Sequence, residues 1–144
     1  MRYLYKVRWW MKFYSRHLTW RISTRKKEVF LTFDDGPHPT ITPWVLSVLK
    51  EYDAKASFFC VGKNVDLYPK VFKQIIQDGH ASGNHTYEHE IGWETTVEKY
   101  LTSVHRCESV FGTPFFRPPH GRISYRQINA LKDKFQIIMW SLMS

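Results

Sequence analysis

Three short segments, far apart along the chain, carry side chains that together could make a metal-dependent hydrolase site. Thr32-Phe33-Asp34-Asp35-Gly36-Pro37 offers two adjacent carboxylates at the end of an apolar run. His85-Thr86-Tyr87-Glu88-His89 offers two imidazoles four residues apart, and Arg117-Pro118-Pro119-His120-Gly121 offers an arginine in a stiff proline turn. One carboxylate with two imidazoles is a common three-ligand set for a catalytic zinc and leaves a position open for water. The second carboxylate is then free to act as a base on that water. Taken singly, each segment has an ordinary explanation. Asp-Asp-Gly-Pro is usually a turn, His-x3-His a surface coincidence and Arg-Pro-Pro a loop. Their value lies in occurring together, each at the end of an expected strand.

The elements that must position these residues alternate strictly. A buried strand is expected over 28–35, closed by Gly36-Pro37. A helix follows over 40–52, with Thr42-Pro43 as its start signal. Ala56–Val61 reads as a second strand closed by Gly62, and 68–78 as a helix with Pro69 near its start and Gly79 just past its end. His80–Asn84 is a short third strand, 95–111 a long amphipathic helix, and 115–117 a fourth strand. A helix over 124–135 and a strand over 136–142 complete the series. Such alternation implies an α/β fold with about five parallel strands. In these folds the loops after the strands open on one side, so distant motifs can meet in one cleft. Adjacent strand residues point to opposite faces. Asp34 and Asp35 can therefore serve different partners once Gly36-Pro37 ends the strand. His85 and His89 share a face if their segment is helical.

Charge divides the chain. Of 144 residues, 1–27 hold nine Lys or Arg and no acid, whereas 28–144 hold twelve basic and thirteen acidic groups. The body is near neutral, and the formal charge of +8 belongs to an arm that also carries seven aromatics. A cation every few residues makes this arm neither a spanning helix nor a clear signal peptide. Its expected roles are, in descending order, packing on the body, contact with an anionic membrane surface, and nucleic-acid binding. The last is disfavoured because no nucleic-acid module accompanies it. The sequence does not fix the compartment; the arm is compatible with a cytoplasmic location or one peripheral to a membrane. Cys60 and Cys107 read as buried free thiols. His38 is a candidate for the cleft mouth; His17, His80 and His105 are read as structural.

With the three motifs in this order, the chain from about Val29 to its end resembles the polysaccharide deacetylase family, also called the NodB homology domain or carbohydrate esterase family 4. Phe58-Phe59-Cys60-Val61-Gly62 and Gly79-His80-Ala81-Ser82-Gly83-Asn84-His85 resemble it too. The resemblance implies a metal-dependent hydrolase that removes acetyl groups, mostly N-acetyl, from an acetylated carbohydrate polymer on a partly open (β/α)7 barrel. It implies Asp34 as general base, Arg117 as the residue that orients it, and Asp35, His85 and His89 as ligands of a divalent metal, zinc foremost. Position 120, usually Tyr in the family, is His120 here and would lend its backbone N–H to an oxyanion. Pro118, Pro119 and Gly121 would form the substrate-binding wall beside it.

The family's pattern continues to an Asp-x-x-Asp-Trp segment and then to a Leu-x-His segment with a general-acid histidine, whereas this chain ends Met139-Trp140-Ser141-Leu142-Met143-Ser144. The expectation is therefore an incomplete (β/α)7-type barrel: a basic aromatic arm over 1–27 and a partial deacetylase domain over 28–144. The strand at 136–140 should form an exposed apolar edge, and the chain should deacetylate poorly or not at all. A remnant that binds metal or sugar without catalysis is the alternative function.

Overall fold

The computed structural model describes residues 16–142. Its centre is one six-stranded sheet, parallel at every pairing. The elements are β1 (Leu18–Thr19), β2 (Leu31–Gly36), α1 (Ile41–Glu51), β3 (Ala56–Cys60), α2 (Gly62–Leu67), α3 (Pro69–Gln77), β4 (Ala81–Asn84), α4 (Val97–Val110), β5 (Phe115–Phe116), α5 (Tyr125–Leu131) and β6 (Gln136–Ile138). The order across the sheet is β1-β6-β5-β4-β3-β2. From β2 to β6 each strand lies beside its predecessor in the chain, which is the winding of a partial α/β barrel. The five expected strands are all present, somewhat shorter than their sequence patterns suggest.

Two apolar cores pack helices on this sheet. One gathers Leu46, Leu49, Phe58, Cys60, Val65, Ile75 and Cys107; the other gathers Tyr100, Val104, Phe116, Ile128, Leu131, Phe135 and Ile137. Both cysteines are free and buried, as expected. Burial raises both thiols, Cys107 to about 12, so neither is a ready nucleophile.

Three departures from the expected organisation matter. First, Leu18 and Thr19, assigned to the arm, form a sixth strand that pairs with Ile137 and Ile138. The outer edge of β6 is therefore covered rather than exposed: Ile137 is fully buried and Met139, whose N–H donates to the Thr19 carbonyl at 2.8 Å, is nearly so. Packing thus accounts for Leu18 and Thr19; the arm's cations and aromatics over 1–15 lie outside the described residues. Second, Gly62 opens α2 rather than merely ending β3. A side chain there would sit 2.7 Å from the Tyr87 ring and 3.1 Å from the Cys107 backbone, so only glycine fits. Third, the segment from His85 to Glu90 is not helical. No described helix is long and apolar enough to cross a membrane.

Candidate metal centre and its carboxylate pair

The two carboxylates part company through a β-bulge. Phe33 pairs with Phe58 and Gly36 with Cys60, so three steps on β2 oppose two on β3. Asp35 takes up the slack with φ 65°, in the left-handed region where aspartate is among the better-tolerated residues. The Asn64 side chain pins the bulge by donating to the Asp35 carbonyl at 2.8 Å. The divergence therefore arises inside the strand, not from its ending before Gly36.

Asp34 turns toward Arg117. The guanidinium Nη1 donates to Asp34 Oδ1 at 2.6 Å and to Thr32 Oγ1 at 2.8 Å. Its Nε donates to the Ile138 carbonyl at 3.2 Å and Nη2 to the Met139 carbonyl at 3.0 Å. The carbon of the guanidinium lies 3.9 Å from the centroid of the Phe59 ring. Arg117 is only 2% exposed. Burial pulls its pKa below the usual value and Asp34 opposes that pull, so the side chain stays charged. One buried cation thus ties β2, β5 and the end of β6 to a single carboxylate.

Asp35 turns the other way. Its Oδ1 lies 3.3 Å from His85 Nε2 and 2.9 Å from His89 Nε2. Ligating atoms from all three residues lie within 4.8 Å of one another. A shared zinc with ligands near 2 Å requires separations of at most roughly 4 Å, so a small side-chain adjustment closes the site. His85 is buried, and its Nδ1 lies 2.7 Å from the Arg117 carbonyl. A carbonyl can only accept, so Nδ1 carries a proton there, and Nε2 is the atom that faces Asp35 and would meet a metal. Hydrogen bonds from His85 first, then His89, hold Asp35 well below the ordinary carboxylate range, and Asp35 in turn raises His89. Borderline nitrogen and hard oxygen donors in this combination suit a divalent transition metal.

Because the 85–90 segment is a loop, backbone curvature brings the imidazoles together instead of helical spacing. Thr86 and His89 have φ of 62° and 60°. The opening amides of α2 hold the loop from one side: Gly62 donates to the Thr86 carbonyl at 2.9 Å and Lys63 to the Tyr87 carbonyl at 3.1 Å. On the other side, buried Asn84 accepts from Thr86 N–H at 2.9 Å and donates to the Val104 carbonyl at 2.8 Å. Ser103 accepts from Tyr87 N–H at 2.9 Å and donates to Glu90 at 2.6 Å.

The third motif forms the facing wall. His120 is exposed with φ 56°, and its ring meets that of His89 edge to face, centroids 4.8 Å apart. Pro118 and Pro119 are buried beneath the turn and offer it stiffness more than surface. Gly121, at φ 66°, lies against Trp140, where a side chain would approach the ring to 2.7 Å. His38, exposed just past β2, has a local role at the start of α1. Its Nδ1 accepts from the N–H groups of Thr40 and Ile41 at 3.3 and 3.2 Å, capping the start of α1. His80 is structural, accepting from Ala56 N–H at 3.3 Å. The partners of Arg117 other than Asp34, and the anchors Asn84 and Ser103, carry no local signal that sequence reading could have used.

A family model for polysaccharide deacetylase matches residues 21–134. The chain belongs to the polysaccharide deacetylase family. It is 37% identical over 124 residues to a peptidoglycan-N-acetylglucosamine deacetylase of Bacillus cereus, covering 81% of this chain and 45% of that protein. It is 38% identical over 132 residues to a chitooligosaccharide deacetylase of Azorhizobium caulinodans, covering 85% and 62% respectively. A crystal structure of a peptidoglycan N-acetylglucosamine deacetylase in complex with 4-naphthalen-1-yl-N-oxidanyl-benzamide superposes with a TM-score of 0.83 at 33% identity, covering 86% of this chain and 61% of that one. The chain therefore spans about half to three fifths of these relatives' lengths.

Proposed function

We propose that this chain carries the metal- and base-bearing part of a carbohydrate N-deacetylase that uses a divalent metal, zinc foremost. The observation that carries the reading is the juxtaposition of two unlike carboxylates: Asp35 among His85 and His89, and Asp34 on Arg117. The names of the relatives support acetylated glycans as substrates, N-acetylglucosamine polymers before others.

Asp35, His85 and His89 would hold the metal, which when bound supplies positive charge that polarises the acetyl carbonyl and acidifies the attacking water. Asp34 takes the proton of that water. Arg117 engages its Oδ1, which fixes the carboxylate and leaves Oδ2 to receive the proton. The new C–O bond converts the carbonyl to an oxyanion. The backbone N–H of His120 is the donor proposed for that charge, a contribution typically worth ~3 kcal/mol. Collapse breaks the C–N bond as the proton held by Asp34 passes to the leaving nitrogen, giving the free amine and acetic acid, which ionises to acetate. A location at the face of an anionic membrane, through the cations and aromatics of residues 1–27, is part of this proposal.

The test is acetate release from chitin oligomers by the zinc-loaded protein. Release should stop on chelation and return with zinc, and Asp34→Asn should abolish it while retaining the metal. Release that persists in Asp34→Asn, or that ignores chelation, would overturn the reading.

A further inference from the structure

Beyond the metal centre, the loop carrying His89 and the turn carrying His120 continue side by side. Their rings touch at the centre. Three residues past His89, Gly92 N–H donates to the Arg122 carbonyl at 3.1 Å, an approach so close that a side chain on Gly92 would strike that carbonyl. One residue further, the indole Nε1 of Trp93 donates to the Ile123 carbonyl at 3.0 Å. Fully buried Gln127 clamps the pair, its Nε2 donating to the Gly92 carbonyl at 2.9 Å and its Oε1 accepting from Ser124 N–H at 2.8 Å.

At the end of this clamped ribbon the Trp93 ring is 66% exposed. Its single polar atom is already satisfied, and the Arg122 guanidinium lies 5.8 Å from its centroid. Arg122 also pairs with Glu94 at 3.6 Å, so the surroundings carry donors and acceptors without a net charge. An exposed indole held on fixed backbone gains little for the fold. It offers a rigid apolar plate with polar groups at its rim, which suits a ligand with one flat C–H face and hydroxyls around its edge. A pyranose ring has that form. Trp93 is four residues from His89, so their Cα atoms lie at most about 14 Å apart, within reach of sugars adjoining the one at the metal.

We propose that Trp93, with Arg122 and Glu94 at its rim, is a stacking subsite for a neighbouring residue of a β-linked N-acetylglucosamine polymer. This rests on the deacetylase reading for its choice of ligand. A plate that reads the ring face contributes to oligomers and not to the single sugar at the metal. Because it is preformed, binding needs little reordering.

Calorimetry with N-acetylglucosamine hexamer and with the monosaccharide tests this, using zinc-loaded wild type, Trp93→Ala, Trp93→Phe and metal-free Asp35→Ala. Trp93→Ala should weaken hexamer binding roughly tenfold, the scale of one aromatic stack. It should leave zinc and monosaccharide affinities unchanged, and Trp93→Phe should restore most of the loss. The contribution of Trp93 should persist when Asp35→Ala removes the metal. Hexamer binding that is the same in wild type and Trp93→Ala, or absent from both, overturns the subsite. If the hexamer binds through Trp93 while the wild type binds no zinc, the deacetylase reading falls and the subsite stands.

Discussion

Asp34 and Asp35 are neighbours in sequence with opposite surroundings. Asp34 is two thirds covered and answers to one buried arginine, which also grips Thr32 and the carbonyls after β6. Asp35, with 68% of its side chain exposed, faces two imidazoles mounted on a loop. The first arrangement is tied into the sheet; the second depends on a bulge, three residues with positive φ and a few side-chain anchors. The difference separates what the fold requires from what the chemistry requires. Damage on the Asp34 side should register in stability, and damage on the Asp35 side in metal affinity.

The largest effect should follow Arg117→Ala. It strands Asp34, leaves two backbone carbonyls without donors and opens a hole beside Phe59. The expected loss is about 3 kcal/mol, the lower end for breaking a buried pair because Asp34 is partly solvated. Urea denaturation of the metal-free protein checks it. Zinc affinity should change far less, since the Arg117 carbonyl that orients His85 belongs to the backbone. Loss of zinc binding from a folded Arg117→Ala protein would break the division.

Asn84 stands between the two arrangements, its carbonyl accepting from Arg117 N–H at 2.9 Å and its side chain holding the 85–90 loop. Asn84→Ala should cost about 2 kcal/mol, chiefly by orphaning the buried Thr86 N–H. It should also weaken zinc binding by roughly tenfold or more, as removal of a ligand's support typically does. An effect on stability alone would mean that the loop keeps its shape without this anchor.

The smallest effect is on pH dependence. Asp35, held below the ordinary carboxylate range, contributes stability that is present above its unfolded pKa and lost as pH falls far beneath it. His89, raised by Asp35, contributes stability present below its unfolded pKa and lost as pH climbs through its higher folded value. In the metal-free protein the pair therefore helps most between about pH 4 and 6.5. His89→Gln should lower metal-free stability slightly in that window and not at pH 9, by urea midpoints at each pH. Zinc requires neutral His89, so its affinity should decline on acidification through the raised pKa.

Much of this arrangement was legible in the residues. Apolar residues ended by Gly or Pro located β2, β3 and β5, although β2, expected to be buried, lies at the sheet edge and is exposed to half-buried. That Asp35, His85 and His89 would meet, and that Asp34 would pair with Arg117, was legible because few side-chain types suit a metal and a base. What sequence could not disclose was non-local. Leu18 and Thr19 look like part of a basic arm until β6 is there to pair with them. The spacing of His85 and His89 suits a helix, yet Asn84, Ser103 and the α2 amides hold a loop, and none of these contacts is local enough to leave a pattern. The hydrogen bonds that His38 accepts at the start of α1 left no pattern either, because an imidazole in that role is an uncommon use. Trp93 is one tryptophan among six until the structure leaves its ring exposed beside the site.

The central claim is that adjacent carboxylates do different work, and zinc calorimetry on Asp34→Asn against Asp35→Asn tests it most directly. The two substitutions are chemically identical and one residue apart. Asp35→Asn should lower zinc affinity by about a hundredfold or more, since it replaces a charged ligand with a neutral amide. Asp34→Asn should stay within a few fold of wild type, because its partner is Arg117. Comparable losses in both proteins would contradict the account and make the two aspartates joint ligands of one ion.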